Sequence, residues 1–366
     1  MNCLHCGEPI QQIHIICRKE NLEVLIMETK AVSTNIGRKL KWWQVILLIL
    51  AALILLVALL YATGALRRIV VSASRSSEPD TIAATKANEN YNLFSEGLDE
   101  LLDIAYIDDG GLDHLLDVYR PSGTDALLPV IINVHGGGLV AGEKEVNTVQ
   151  SRWFAQQGFA VVNTNYTRLP DTNYAGMIQN IYDVLHWVED NAEKLHFDLD
   201  RVYMTGDSGG GHIVSIAAAV NRSKELETWY GVEAPGYRVQ KFALTCPMVG
   251  TAELVHPKSL AYFIFHFTIG PEIYGDADAM AMANIYTVAE MSDYPPILLL
   301  TTSGDTNFYS GVMELDSFLT TEGIVHKLKV YENQSHELYH VFNVDHPEWE
   351  ESMEANGDIV AFFSSK

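Results

Sequence analysis

The sequence predicts an α/β protein: a mostly parallel sheet with helices on both faces and a helical cap, preceded by one transmembrane helix. Three observations carry this reading. From about residue 91 to Phe363, short apolar runs alternate with segments of helical spacing, the pattern of a parallel sheet buried on both sides. The run Arg201-Val202-Tyr203-Met204-Thr205 feeds Gly206-Asp207-Ser208-Gly209-Gly210, and this turn feeds His212 to Ala219, so a strand passes through a sharp bend into a helix. Finally, Val45 to Tyr61 contains no charged residue.

Residues 1–41 read as a short polar head. Cys3-Leu4-His5-Cys6 resembles half of a zinc ribbon, and His14 and Cys17 lie nearby. A structural zinc site needs four ligands and no second C-x-x-C follows, so free thiols are the expectation and no metal is assigned. Met27-Glu28-Thr29-Lys30 would also make an ordinary start, so residues 1–26 need not belong to the mature chain. Residues 42–66 are expected to span a membrane: Trp42 and Trp43 precede the uncharged run, Ala62 to Leu66 follow it, and the whole meets the length a bilayer requires. A buried core helix would carry a polar edge, and a cleaved signal peptide would have a shorter apolar stretch. Lys30, Arg38, Lys39 and Lys41 before the span slightly outweigh Arg67, Arg68 and Arg75 after it, which favours a cytoplasmic head. Residues 67–90 hold Ser72, Ser74, Ser76, Ser77 and Pro79-Asp80 without sustained apolar periodicity, and read as a tether, part of it helical.

Residues 91–366 form the expected globular body. Leu115 to Tyr119 is an early strand closed by Pro121-Ser122-Gly123. Leu128 to Val134 and Phe159 to Tyr166 are further strands. Met177, Ile178, Ile181, Val184, Leu185 and Val188 mark one face of a helix. After the strand and helix that flank Ser208, Phe242 to Leu244, Pro296 to Thr301 and Val325 to Tyr331 complete the sheet. The last helix is expected to open at Pro347 and to turn Trp349, Met353, Val360 and Phe363 inward. Between 251 and 290 an aromatic-rich insertion, with Tyr262 to Phe267 and then Met280 and Met282, reads as a buried helix pair that also caps the site. A lone Cys246 leaves this body without an internal disulfide. From residue 76 onward 15 basic residues stand against 43 acidic ones, which argues against nucleic acid or an anionic bilayer surface as a partner.

The chemistry follows from two glycine-rich turns. A serine hydroxyl is a poor nucleophile and needs a base, an orienting acid and donors for the developing oxyanion. Ser208 sits at the apex of its turn, with the amide of Gly209 behind it. Upstream, the strand 130–134 runs into His135-Gly136-Gly137-Gly138, where Gly137 and Gly138 would offer two more amides. A phosphate cradle would need a following Lys-Ser/Thr, which is missing. His135 and Gly136 support the loop, and His212 reads as helix packing.

Residues 91–366 resemble the hormone-sensitive-lipase-like esterases of the α/β-hydrolase fold. The likeness rests on His135 to Gly138, on Asn165-Tyr166-Thr167-Arg168-Leu169-Pro170, and on Gly206 to Gly210. In the middle stretch Thr167 is inserted and the family's alanine is missing. Gly209 stands where the family usually has alanine. The resemblance implies a triad order of Ser, Asp, His. Asp305, in Thr302-Ser303-Gly304-Asp305 after an apolar strand, matches the family's acid; Asp293 and Glu314 do not follow a strand in this way. His340-Val341-Phe342 matches the family's His-x-Phe, with His336 as the rival base. The expectation is therefore a membrane-anchored serine carboxylesterase or lipase-like hydrolase that cleaves a small-molecule carboxylic ester through an acyl-enzyme without metal or cofactor, its catalytic domain outside the cell. A non-catalytic binding protein on the same fold and a serine peptidase are the alternatives. Loss of the triad would mark the first, and a peptide-amide assay the second.

Overall fold

The computed structural model describes residues 41–249 and 277–365. Two compact units, 1–66 and 67–366, divide the chain. In the first, α1 (Trp42–Ala62) is an uninterrupted apolar helix of 21 residues with none buried. At about 1.5 Å per residue it is about 31 Å long, which matches a bilayer core. The expected cysteine site at Cys3, Cys6 and Cys17, and the aromatic part of the expected cap at Tyr262 to Phe267, lie outside the described residues.

Helices α2 (Ala65–Arg75) and α3 (Glu78–Ala87) follow. The stretch expected as a tether is thus largely helical and belongs to the second unit. Its attachment includes several polar bonds. Arg75 donates to the Val140 carbonyl (2.6 Å) and the Leu169 carbonyl (2.5 Å) and pairs with Asp171. Glu78 accepts from the Gly142 amide (3.2 Å) and from Arg168 (3.0 Å).

The sheet is built from β1 (Leu98–Ala105), β2 (Leu115–Pro121), β3 (Leu128–Val134), β4 (Ala160–Thr164), β5 (Phe197–Asp207), β6 (Val239–Thr245), β7 (Ile297–Thr302) and β8 (His326–Tyr331), in the order β1-β2-β4-β3-β5-β6-β7-β8. β2 is antiparallel to β1 and β4; all other pairings are parallel. Period-2 alternation splits the apolar side chains between two cores. Val130, Ile132, Val134, Val162 and Met204 enter the larger, with α5 (Tyr174–Asp190), α7 (Ser208–Val220) and α10 (Ile285–Glu290). Ile131, Val161, Tyr203, Ala243 and Leu298 enter the smaller, with α4 (Thr148–Gln156) and α13 (Glu350–Ser364). The remaining helices are α6 (Ala192–Leu195), α8 (Lys224–Tyr230), α9 (Ala277–Met282), α11 (Tyr309–Thr321) and α12 (Phe342–Asp345).

Two details differ from expectation in the last helix. It opens at Glu350 rather than Pro347, because Trp349 is in extended backbone. Met353 is exposed, since the buried positions fall at Glu351, Ser352, Ala355, Asn356, Ile359, Phe362 and Phe363, and Met353 lies off that stripe.

Chain order and spatial order place the site. β3 lies between β4 and β5, so the connections leaving β3 and β5 diverge at their carboxyl ends, the usual position of a ligand crevice. Val134 is in register with Gly206, which sets His135-Gly136-Gly137-Gly138 beside Asp207-Ser208.

Candidate active site

Ser208 opens α7 in the left-handed region, at φ 49°, a conformation that costs a side-chain-bearing residue about 1–2 kcal/mol. Packing on both sides holds it there. A methyl on Gly206 would press on the Gly210 backbone at 2.7 Å, and one on Gly210 would collide with the carbonyls of Val134 and His135. The two glycines of the pattern are therefore required by the close approach of helix to strand. Ser208 remains 8% exposed, and its carbonyl accepts from the Met248 amide (3.0 Å).

Asp305 and His340 reach Ser208 from other strands. The Asp305 carboxylate, fully buried beyond β7, accepts at Oδ1 from the amides of Asn307 (3.0 Å) and Phe308 (3.1 Å). Its Oδ2 lies 2.8 Å from His340 Nδ1, and His340 Nε2 lies 3.0 Å from Ser208 Oγ. Burial works against the charge on Asp305, yet the imidazole and the two amides hold its carboxyl below the ordinary range. With Nδ1–H turned to this carboxylate, Nε2 is the free acceptor for the serine proton.

The glycine loop completes the arrangement. Gly137 and Gly138 both have positive φ (109° and 60°). A methyl on Gly137 would collide with the Ala141 carbonyl. A methyl on Gly209 would come within 3.1 Å of the Gly138 nitrogen and 3.0 Å of the Leu139 nitrogen, so the loop backbone packs directly against the start of α7. Negative charge developing here would meet backbone N–H groups and the positive end of a helix. His135 is fully buried; its Nδ1 lies 2.7 Å from the Gly136 carbonyl, its ring stacks on Tyr166 at 4.6 Å, and burial pushes it down to about 3, so it stays neutral. Gly136 donates to Asp207 (3.1 Å).

The stretch 165–170 has a role that sequence alone did not specify: it grips the glycine loop. Tyr166 Oη donates to the His135 carbonyl (3.2 Å), the Leu169 amide to the Leu139 carbonyl (2.9 Å), and Arg168 to the Gly142 carbonyl (2.7 Å). Arg168 also pairs with Glu78, Asp113 and Glu143, each at 3.0 Å. These residues, with Arg75 and His114, border a cavity of about 860 Å³ that none of Ser208, Asp305 or His340 lines.

The rival candidates lie elsewhere. His336 Nδ1 is 2.9 Å from Glu351 Oε2, and its ring stacks on Trp349 at 4.2 Å. His212 is buried with Nδ1 2.9 Å from the Met248 carbonyl, and burial pushes it down to about 4. Asp293 is exposed and pairs with Arg222 at 3.9 Å, and Glu314 is exposed on α11. Asp207 and Cys246 are near neighbours that the motifs did not single out. Donor atoms of Cys246, Asp305 and His340 lie within 4.8 Å of one another. Burial and Asp305 push the Cys246 thiol up, however, whereas metal ligation needs a thiolate, and the other two donors already bind each other.

Comparison with known proteins gives consistent results. The BD-FAE family matches residues 116–307. The chain is 34% identical over 115 residues to the carboxylesterase NlhH of Mycobacterium tuberculosis (31% of this chain, 36% of that one). It is 30% identical over 112 residues to an isoprenylcysteine alpha-carbonyl methylesterase of Arabidopsis thaliana (31% and 26%). The matched stretches thus span only about a quarter to a third of these relatives' lengths. Esterase B from Lactobacillus rhamnosis superposes with a TM-score of 0.75 at 29% identity, covering 82% of this chain and 95% of that one.

Proposed function

We propose that this chain, which belongs to the BD-FAE family of α/β-hydrolases, is a carboxylic ester hydrolase that works through an acyl-enzyme on Ser208. The observation that carries this reading is the hydrogen-bonded series Asp305–His340–Ser208 beside a loop of glycine amides. His340 Nε2 takes the proton as Ser208 Oγ attacks the ester carbonyl, and the tetrahedral oxyanion is held by the amides of Gly137, Gly138 and Gly209. The intermediate collapses as the imidazolium returns this proton to the departing alcohol, leaving Ser208 acylated. Water then enters, gives a proton to His340 and attacks the acyl carbonyl; that proton returns to Ser208 Oγ as the carboxylic acid leaves. Asp305 keeps the ring oriented and stabilises the imidazolium without itself taking the proton.

The helix Trp42–Ala62 is long and apolar enough to cross a membrane. It serves as an anchor in this reading, with the acidic body on the outer side, where it meets esters too large or too charged to cross a bilayer. The test is hydrolysis of a chain-length series of nitrophenyl esters beside a peptide amide. Ester cleavage that disappears in Ser208→Ala supports the proposal; amide cleavage at a comparable rate would make the protein a peptidase, and activity undiminished in Ser208→Ala would remove the serine from the mechanism.

A further inference from the structure

Asp207 stands between the nucleophile and the glycine loop, yet it has no part in the proton relay. It ends β5, and its Oδ1 accepts from the Gly136 amide (3.1 Å) and from Asn147 Nδ2 (2.9 Å). A methyl on Gly136 would collide with Asp207 Oδ2, so the first glycine of the loop lies directly against this carboxylate. Asn147 is in turn one member of a buried series of amides. It donates to Asn133 Oδ1 (3.2 Å), and Asn133 donates to Gln150 (3.2 Å) and Ser151 (3.1 Å). Gln150 donates to Asn356 Oδ1 (3.0 Å), which also accepts from Asn343 (3.0 Å). Asn343 lies in α12, three residues after His340. The series therefore runs from the glycine loop, through the side chain of the residue before Ser208, to the helix behind the histidine.

We infer that Asp207 is a positioning residue that fixes the oxyanion loop against the nucleophile, and that Asn147 and the amides behind it hold its carboxylate in place. The inference rests on the serine-ester reading above. A role in stability alone fits poorly. Burial disfavours the charge and pushes the carboxyl up to about 6, despite the opposing bonds from Asn147 and Gly136 and the nearby His340. A neutral side chain at this position would avoid that cost. What the carboxylate supplies is an acceptor rigidly joined to the residue before Ser208, aimed at the loop that must present its amides to the oxyanion. Misplacement of such donors is felt in the transition state, where the oxygen is charged, far more than in the bound ester.

The experiment compares Asp207→Ala, Asp207→Asn and Asn147→Ala in the detergent-solubilised full chain, using a short nitrophenyl ester and a trifluoromethyl ketone that forms the tetrahedral adduct. Asp207→Ala should lower kcat about 100-fold with KM changed less than about threefold, and ketone affinity should fall in parallel with kcat/KM. Asp207→Asn keeps an oxygen for the Gly136 amide and should recover kcat to within about tenfold of the parent, with Asn147→Ala between the two. A purely structural role would lower the melting temperature without this kcat-against-KM split. A folded Asp207→Ala with kcat near the parent value, a loss confined to KM, or an Asp207→Asn as impaired as Asp207→Ala would each overturn the inference. Should Asp207→Ala fail to fold, an unchanged kcat in Asn147→Ala overturns it. Equal activity in the parent and Ser208→Ala is a separate result: it defeats the serine reading and leaves Asp207 nothing to position.

Discussion

Replacing the two histidines of the loop after β8 one at a time separates chemistry from packing. His340→Ala removes the group that lies 3.0 Å from Ser208 Oγ and 2.8 Å from Asp305. With the proposed base gone, kcat should fall by at least about 10³-fold, to what the proposed oxyanion amides supply. His336→Ala should act on stability instead. Burial opposes the charge of Glu351, which is 1% exposed, but His336 Nδ1 and the backbone amides of His336 and Ser335 hold its carboxyl at about 2. The variant removes the ring N–H from this buried carboxylate and the ring from the stack on Trp349, while the amides of Gln334 (3.2 Å), Ser335 (2.6 Å) and His336 (2.9 Å) remain. One charge-assisted bond plus one stacked pair comes to about 2–4 kcal/mol, a fall of several degrees in melting temperature. The assays are nitrophenyl-ester kinetics and a thermal melt on each variant. Lost activity in His336→Ala with His340→Ala nearly intact would refute the assignment and transfer the base to His336.

Glu143 carries a pH prediction whose sign is fixed by its surroundings. Burial pushes its carboxyl up to about 7, partly offset by Arg168 and reinforced by Glu78, Asp113 and Glu145. The folded chain thus binds the proton more tightly than the unfolded one; this stabilisation is full below the ordinary value of 4.5 and is lost as pH rises to about 7. Glu143→Gln should therefore melt higher than the parent at pH 8, by an amount worth up to roughly 3 kcal/mol, and the gap should close below pH 4.5; a variant that melts lower at pH 8 would show that the ion pair with Arg168 dominates. For the proposed topology, protease shaving of intact cells should release or destroy the esterase activity, and full protection until lysis would reverse the proposed orientation.

The parts legible in sequence are those whose residues act on their immediate neighbours. β3 and β7 read as apolar runs, interrupted by Asn133 in β3 and closed by Thr301-Thr302 in β7, because both faces of each strand are covered, and the bend at Ser208 is written in the glycines that flank it. β1 was not anticipated: Asp99, Glu100 and Asp103 break its apolar pattern, as an edge strand bonded on one side permits. Residues 67–90 were legible as a partly helical tether, but not their attachment to the body, because side chains such as Arg75 and Glu78 reach backbone groups more than 60 residues away. Asn133, Asn147, Gln150, Asn343 and Asn356 are unremarkable singly, and only the fold brings them into one series. The proposed triad lay between these extremes, since Asp305 follows an identifiable strand, whereas the choice between His340 and His336 turns on a loop whose path no local pattern specifies.

Trapping the covalent intermediate tests the proposed serine chemistry most directly. A nitrophenyl ester with a slowly hydrolysed acyl group, quenched early and followed by mass spectrometry of the digested protein, should leave one acyl group on the peptide carrying Ser208, with one equivalent of nitrophenol released in a burst and neither event in Ser208→Ala. Steady hydrolysis with no acylated peptide, or an acyl group carried by another residue, would contradict it.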